Sequence, residues 1–208
     1  MSAHPQSVWA IRGVVVHGHG RGGSQLGFPT ANVGLDDATI QMLLPLQNLV
    51  YFGWGCVEAA VEDASGSNAA AAAEEPQTNM TPTSIRECAG EIFPLVMSVG
   101  FNPHFKDKAL TVEAYFLHTF RRDFYGSTIR IISCGAIREQ AAFTTLDALV
   151  EIIRNDCAFA KEKLLTSSPG CVADLAALKS HPFLTQLANN DGGKLPLFLP
   201  NLLSSNLQ

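Results

Sequence analysis

The chain has 208 residues, 47% of them hydrophobic and 16% charged, which suits one domain with a sizeable core, or one domain with additions. Its net charge of −5 disfavours nucleic acid as a partner, because a phosphate backbone needs a basic surface. The five cysteines (Cys56, Cys88, Cys134, Cys157 and Cys171) are odd in number and form no C-x-x-C pair, which points to thiols in a reducing compartment rather than a secreted disulfide framework.

Met1 to Ala10 lacks a basic start followed by an apolar core, and no apolar run approaches a membrane span in length. A cytoplasmic monomer without membrane or nucleic-acid partners is expected. Val8 to His17 reads as a first strand, rich in β-branched residues and ending at glycines. The stretch GHGRGGSQLGFPTAN, residues 18–32, follows it. Five glycines fall within ten residues there, and a Pro-Thr-Ala-Asn turn comes after them. Such a run of backbone N–H groups can cradle a phosphate. Thr30 and Asn32 add neutral side-chain oxygens just beyond, of the kind that suits Mg²⁺.

Gly18, Gly20 and Gly23 satisfy G-x-G-x-x-G after a strand, but Gly27 and Pro29 break the helix that a dinucleotide-binding fingerprint should open. The loop has no lysine, so it is not a Walker A loop. No strand lysine, HRD or DFG follows, as a protein kinase would require. Taken alone, the glycines are better read as an ordinary hairpin loop.

Leu35 to Leu49 reads as an irregular connection, and Val50 to Val57 as a strand whose two glycines hint at a bulge or a close backbone approach. Glu58 to Phe93 contains the low-complexity run SGSNAAAAAEEPQTNMTPTS and reads as a flexible insertion between two neighbouring strands. Leu95 to Phe101, Leu110 to Phe120 and Ser127 to Ala136 are further strands. Short strands separated by turn signals predict a closed antiparallel sheet rather than βαβ units. Leu146, Leu149, Val150, Ile153, Cys157, Ala160 and Leu164 repeat at helical spacing, behind a Thr144/Asp147 capping box. That stripe should pack on the barrel. Val172 to Lys179 suggests a second short helix, and the remaining tail is apolar but broken by glycine and proline.

The motifs LGFPTAN, SVGFNPHFKDKALTVEAYFLHTF (98–120) and DFYGSTIRI (123–131) resemble, in order and spacing, those of the riboflavin kinases. The resemblance covers roughly residues 10–57 and 95–165. It implies a six-stranded antiparallel Greek-key barrel with a terminal amphipathic helix. Residues 1–166 would form the barrel and helix, with the insertion at about 58–93, and 167–208 a C-terminal extension. The implied reaction moves the γ-phosphate of ATP to the ribityl 5′-hydroxyl of riboflavin, giving FMN and ADP with Mg²⁺ as cofactor. The alternative is a non-catalytic flavin- or nucleotide-binding module on the same barrel. A second, FAD-forming activity is not expected, because its adenylyltransferase domain would precede the barrel.

By the same resemblance Thr30 and Asn32 hold Mg²⁺, and Glu113 is the catalytic base. Gly18, Gly20, Arg21, Gly22, Gly23, Phe116, His118 and Tyr125 contact ATP, and Arg138 and Phe143 contact the flavin. The residues between those last two, Glu139 to Ala142, depart from the family's usual Pro- and Lys-containing pattern. Read from the residues alone, Leu110, Val112, Ala114, Phe116, His118 and Phe120 share one strand face, and Glu113 lies on the other. Glu113 and His118 would then point apart, and a bulge or binding at the strand end must reconcile them. Without the resemblance, Glu113 reads equally as a solvated strand residue, and Thr30 and Asn32 as residues of a local turn.

Overall fold

A computed structural model describes residues 8–18, 26–58, 89–101, 110–165, 172–186 and 197–198. Six strands make the barrel: β1 (Trp9–Val16), β2 (Ala31–Val33), β3 (Leu49–Val57), β4 (Ile92–Phe101), β5 (Leu110–Phe116) and β6 (Thr128–Glu139). Their order is β2-β5-β4-β3-β6-β1, and pairing of β1 with β2 closes the ring. Every pairing is antiparallel. The expected six-stranded antiparallel barrel is therefore the observed fold. A two-residue strand, β7 (Leu197–Phe198), adds to the start of β1.

The alternation of side chains along the strands builds two apolar layers. Trp9, Ile11, Leu95, Met97, Val112, Ala114, Ile129 and Ile131 fill the barrel. Ala10, Trp54, Cys56, Val96, Ile132 and Cys134 face outward, where helices cover them. These helices are α2 (Leu146–Leu165), α3 (Val172–Lys179) and α4 (Pro182–Thr185). β3 is covered on both faces, which explains why VYFGWGCV is apolar throughout instead of alternating. A Cβ at Gly53 would strike the Ile132 carbonyl oxygen, so the glycine permits a close approach where the β3–β6 register shifts.

Four local readings change. Leu35 to Leu49 is not irregular: it holds helix α1 (Asp37–Leu43) and a 3₁₀ turn (Leu44–Leu46). Asp36 caps α1, its carboxylate accepting from the Thr39 N–H at 2.7 Å. The Pro-Thr-Ala-Asn turn runs into strand β2, since Ala31 and Val33 insert into the barrel. The strand from Leu110 stops at Phe116, not Phe120. Finally, the cap of α2 is Thr145, whose hydroxyl accepts from the Ala148 N–H, and not Thr144. Leu146, expected in the packed stripe, is 67% exposed, while Ala160 and Leu164 are buried as expected.

The segment 172–186 is fastened to the outer face of the barrel. Trp54 Nε1 donates to the Leu175 carbonyl at 3.1 Å, and Lys179 lies over the Trp54 ring. Arg130 donates to the carbonyls of Phe183 and Gln186. Its guanidinium also pairs with Glu58, which accepts a two-point contact from Arg12 at 2.8 Å. Cys56, Cys134 and Cys157 are free thiols, and burial pushes the first two up to about 11 and about 12. Cys88 and Cys171 lie outside the described residues, as does most of the insertion. The insertion's two ends meet as neighbouring strands, Cys56 opposite Ile92. Among the described residues no helix is long and apolar enough to cross a membrane.

Candidate active site

The strand register lines up one row of residues across the outside of the barrel. Val16 on β1 opposes Asn32 on β2. Asn32 opposes Glu113 on β5, and Glu113 opposes Ser98 on β4. Ser98 opposes Val50 on β3, which opposes Arg138 on β6. Asn32, Glu113 and Ser98 alternate with barrel-filling neighbours, so all three face outward, and each is half-buried. Residues far apart in sequence, Asn32 and Glu113, thus become direct cross-strand neighbours. In such pairs the Cβ atoms stand about 4.5–5.5 Å apart.

The row slants from one end of the barrel to the other. At its Val16 end the glycine stretch begins. A Cβ on Gly18 would collide with the Asn32 carboxamide, so this glycine leaves the amide its room. Gly20, Arg21, Gly22 and Gly23 lie outside the described residues. Thr30 immediately precedes β2 and is half-buried. Tyr125 sits at the same end: Gly126 donates to the Val15 carbonyl and Val15 to that of Ser127, which holds this turn against β1. The Tyr125 ring is 41% exposed and stacks on His17, centroids 3.8 Å apart. Sequence reasoning did not select His17, and only the β1 register and the 124–127 turn reveal its partner.

His118 is also at this end. β5 stops at Phe116, so His118 lies just beyond the strand end, among aromatic side chains that pack on the barrel-filling cluster, the face opposite Glu113. Its ring stacks on Phe93 at 4.1 Å and meets Phe120 edge-on. Nε2 is buried with no hydrogen-bond partner among the described residues. Burial lowers the His118 pKa, and nearby Glu91 offsets part of that. Phe116 is 3% exposed inside the barrel, its ring against Phe120 and Phe124. It supports the aromatic cluster from beneath rather than presenting a face outward.

At the Arg138 end the side chains belong to a different task. The Arg138 guanidinium makes a two-point contact with Asp156 of α2, Nε–Oδ1 2.9 Å and Nη2–Oδ2 2.7 Å. Its Nη1 donates to the Glu139 carbonyl. Phe143 is half-buried in the connection to α2. The Gln140 carboxamide lies against Gly100, beside the row. Among the described residues no cluster of three His, Cys, Asp or Glu side chains suits a metal. Thr30 and Asn32 offer neutral side-chain oxygens, which fit a hard divalent cation that draws its other ligands from phosphates and water.

Residues 6–164 match the family model described as "Flavokinase: Riboflavin kinase". The chain belongs to the riboflavin kinase family. A riboflavin kinase of Kluyveromyces lactis is 39% identical over 150 residues, covering 72% of this chain and 80% of that protein. One of Chaetomium globosum is 37% identical over 172 residues, covering 77% and 73%. The human riboflavin kinase is 30% identical over 153 residues, covering 74% and 79%. The crystal structure of riboflavin kinase from Trypanosoma brucei superposes with a TM-score of 0.61 at 32% identity, covering 92% of both chains. The family model stops at residue 164, so the segment 172–186 fastened to β3 and β6 lies beyond that model.

Proposed function

We propose that this protein phosphorylates riboflavin, moving the γ-phosphoryl group of ATP to the ribityl 5′-hydroxyl. The observation that carries the reading is the cross-strand pair Asn32–Glu113 on the outer face, at the foot of the glycine stretch. Phosphoryl transfer is mainly positioning and charge neutralisation, so phosphate cradle, cation ligands and proton acceptor must converge. Residues 18–23 would cradle the phosphates. Thr30 and Asn32 would hold Mg²⁺, which supplies charge neutralisation on the phosphate oxygens when bound.

Glu113 orients the 5′-hydroxyl and accepts its proton. A new bond joins the 5′-oxygen to the γ-phosphorus, and the bond from that phosphorus to the bridging oxygen breaks, leaving ADP. His118 and Tyr125, at the Val16 end of the row, serve the nucleotide. The flavin lies toward Arg138 and Phe143. Arg138 acts there chiefly by holding α2 through Asp156. The protein works as a monomer in the cytoplasm.

The test is direct. Purified protein incubated with riboflavin, ATP and Mg²⁺ should form FMN, separated by chromatography. A folded protein that binds riboflavin but makes no FMN would establish the non-catalytic module instead.

A further inference from the structure

We propose that Ser98 recognises the ribityl chain, its hydroxyl bonding a secondary hydroxyl of the polyol between the flavin ring and the reacting 5′-oxygen. The inference deepens the reading above and rests on Glu113 being the base. Glu113 fixes where the 5′-hydroxyl must lie, and Arg138 marks the flavin end of the same row. Ser98 is the direct partner of Glu113 on the side toward that end. Two strand spacings, about 10 Å, separate Glu113 from Val50. The polyol has to cross that interval, and Ser98 stands in the middle of it.

The surroundings sharpen the point. The outward-facing neighbours of Ser98 along β4 are Val96 and Gly100, both buried, and across the sheet stands Val50, also buried. Ser98 is thus the one hydroxyl of β4 on this face, with Val50 on one side and Glu113 on the other, while the nearby Thr111 hydroxyl is taken up by the Gly100 carbonyl at 3.0 Å. Serine has little β propensity, and a surface meant only to be covered by a helix would favour valine there, as at position 96. A hydroxyl both donates and accepts, which matches the hydroxyls of a polyol. Gly100, the next outward position, leaves room for the Gln140 carboxamide, a second polar group beside Ser98 on the same face.

The experiment compares two flavins, riboflavin and a 10-(5-hydroxypentyl) analogue that keeps the terminal hydroxyl but lacks the 2′, 3′ and 4′ ones. Ser98→Ala should lower kcat/KM for riboflavin about tenfold, the loss expected of one neutral hydrogen bond. It should leave kcat/KM for the analogue within about twofold, and Ser98→Thr should recover part of the loss. Should turnover of the analogue be too slow to measure, quenching of flavin fluorescence gives the same comparison as dissociation constants. Equal effects on both flavins, or none on either, would overturn the proposal, and so would a Ser98→Ala protein with a lowered melting temperature and uniformly reduced activity. Glu113→Gln run beside it separates the two readings. If that variant keeps full turnover, the base assignment fails and the proposal fails with it. If it loses turnover while Ser98→Ala does not discriminate the flavins, only Ser98 is wrong.

Discussion

At the scale of single residues, the site depends on what faces Glu113. Its strand alternation was legible: Leu110, Val112, Ala114 and Phe116 fill the barrel, and Glu113 faces out. Its partners were not, because register is set by pairing with strands distant in sequence, and no local pattern encodes Asn32 opposite Glu113 or Ser98 on its other side. Two substitutions follow from that pairing. Glu113→Gln keeps the shape and removes the basic site, so turnover should fall by about 10²–10⁴-fold. Riboflavin and ATP should still bind, which fluorescence titration checks against the steady-state rate. Near-parental turnover would return Glu113 to the status of a solvated strand residue. Asn32→Ala removes an oxygen beside Gly18 and should raise both the ATP and the Mg²⁺ concentrations needed for half-maximal rate, without a change in circular dichroism. A Mg²⁺ titration that superposes on the parent's would dismiss Asn32 as a ligand.

At the scale of elements, the helix stripe from Leu149 to Leu164 was readable from spacing, and a short helix at Val172–Lys179 was expected without such a stripe. β2 and α1 were not. Proline and asparagine around β2 signal a turn, and only insertion of Ala31 and Val33 between β1 and β5 makes it a strand. The Asp36 cap was the local sign of α1. Nor could sequence show that α4 hangs on an ion cluster. Burial by itself would raise the Glu58 pKa, but the hydrogen bonds from Arg12 and Arg130 override it and hold it below its ordinary value of 4.5. A depressed carboxylate stabilises the fold above its unfolded value, and that contribution is lost as pH falls through the lower, folded value. Urea midpoints should therefore drop below about pH 4.5. In Glu58→Gln the midpoint at pH 7 should already be lower and the acid decline shallower. A parallel decline in both proteins would show that other carboxylates govern the acid response.

At the scale of the molecule, closure of the barrel was legible and the role of the flanking segments was not. Short strands with turn signals predicted a closed antiparallel sheet, and six strands close. The insertion leaves after β3 and returns into β4, its immediate neighbour, with Gly90 donating to the Val57 carbonyl across the gap. That pairing needs no long connection. Replacing Asp63 to Thr83 with a short Gly-Ser link should therefore preserve FMN synthesis, since loop entropy changes by only about 0.6 kcal/mol per doubling of length. The melting temperature should move little. A stable deletion protein without activity would show that the segment takes part in function.

Strand β2 is joined on each side by only two register pairs, Val15–Val33 and Val16–Asn32 to β1 and Ala31–Ala114 and Asn32–Glu113 to β5, whereas β1 and β6 share six. The β1–β2 seam is also where Asn32 and Gly18 meet. A brief parting of β2 from β1 would separate Asn32, the proposed cation ligand, from the glycine stretch proposed to cradle the phosphates, while the longer junctions among β5, β4, β3, β6 and β1 hold. Heat should accordingly silence the protein some degrees before it melts. If nucleotide spans both lips of the seam as proposed, it should narrow that interval more than bound flavin does.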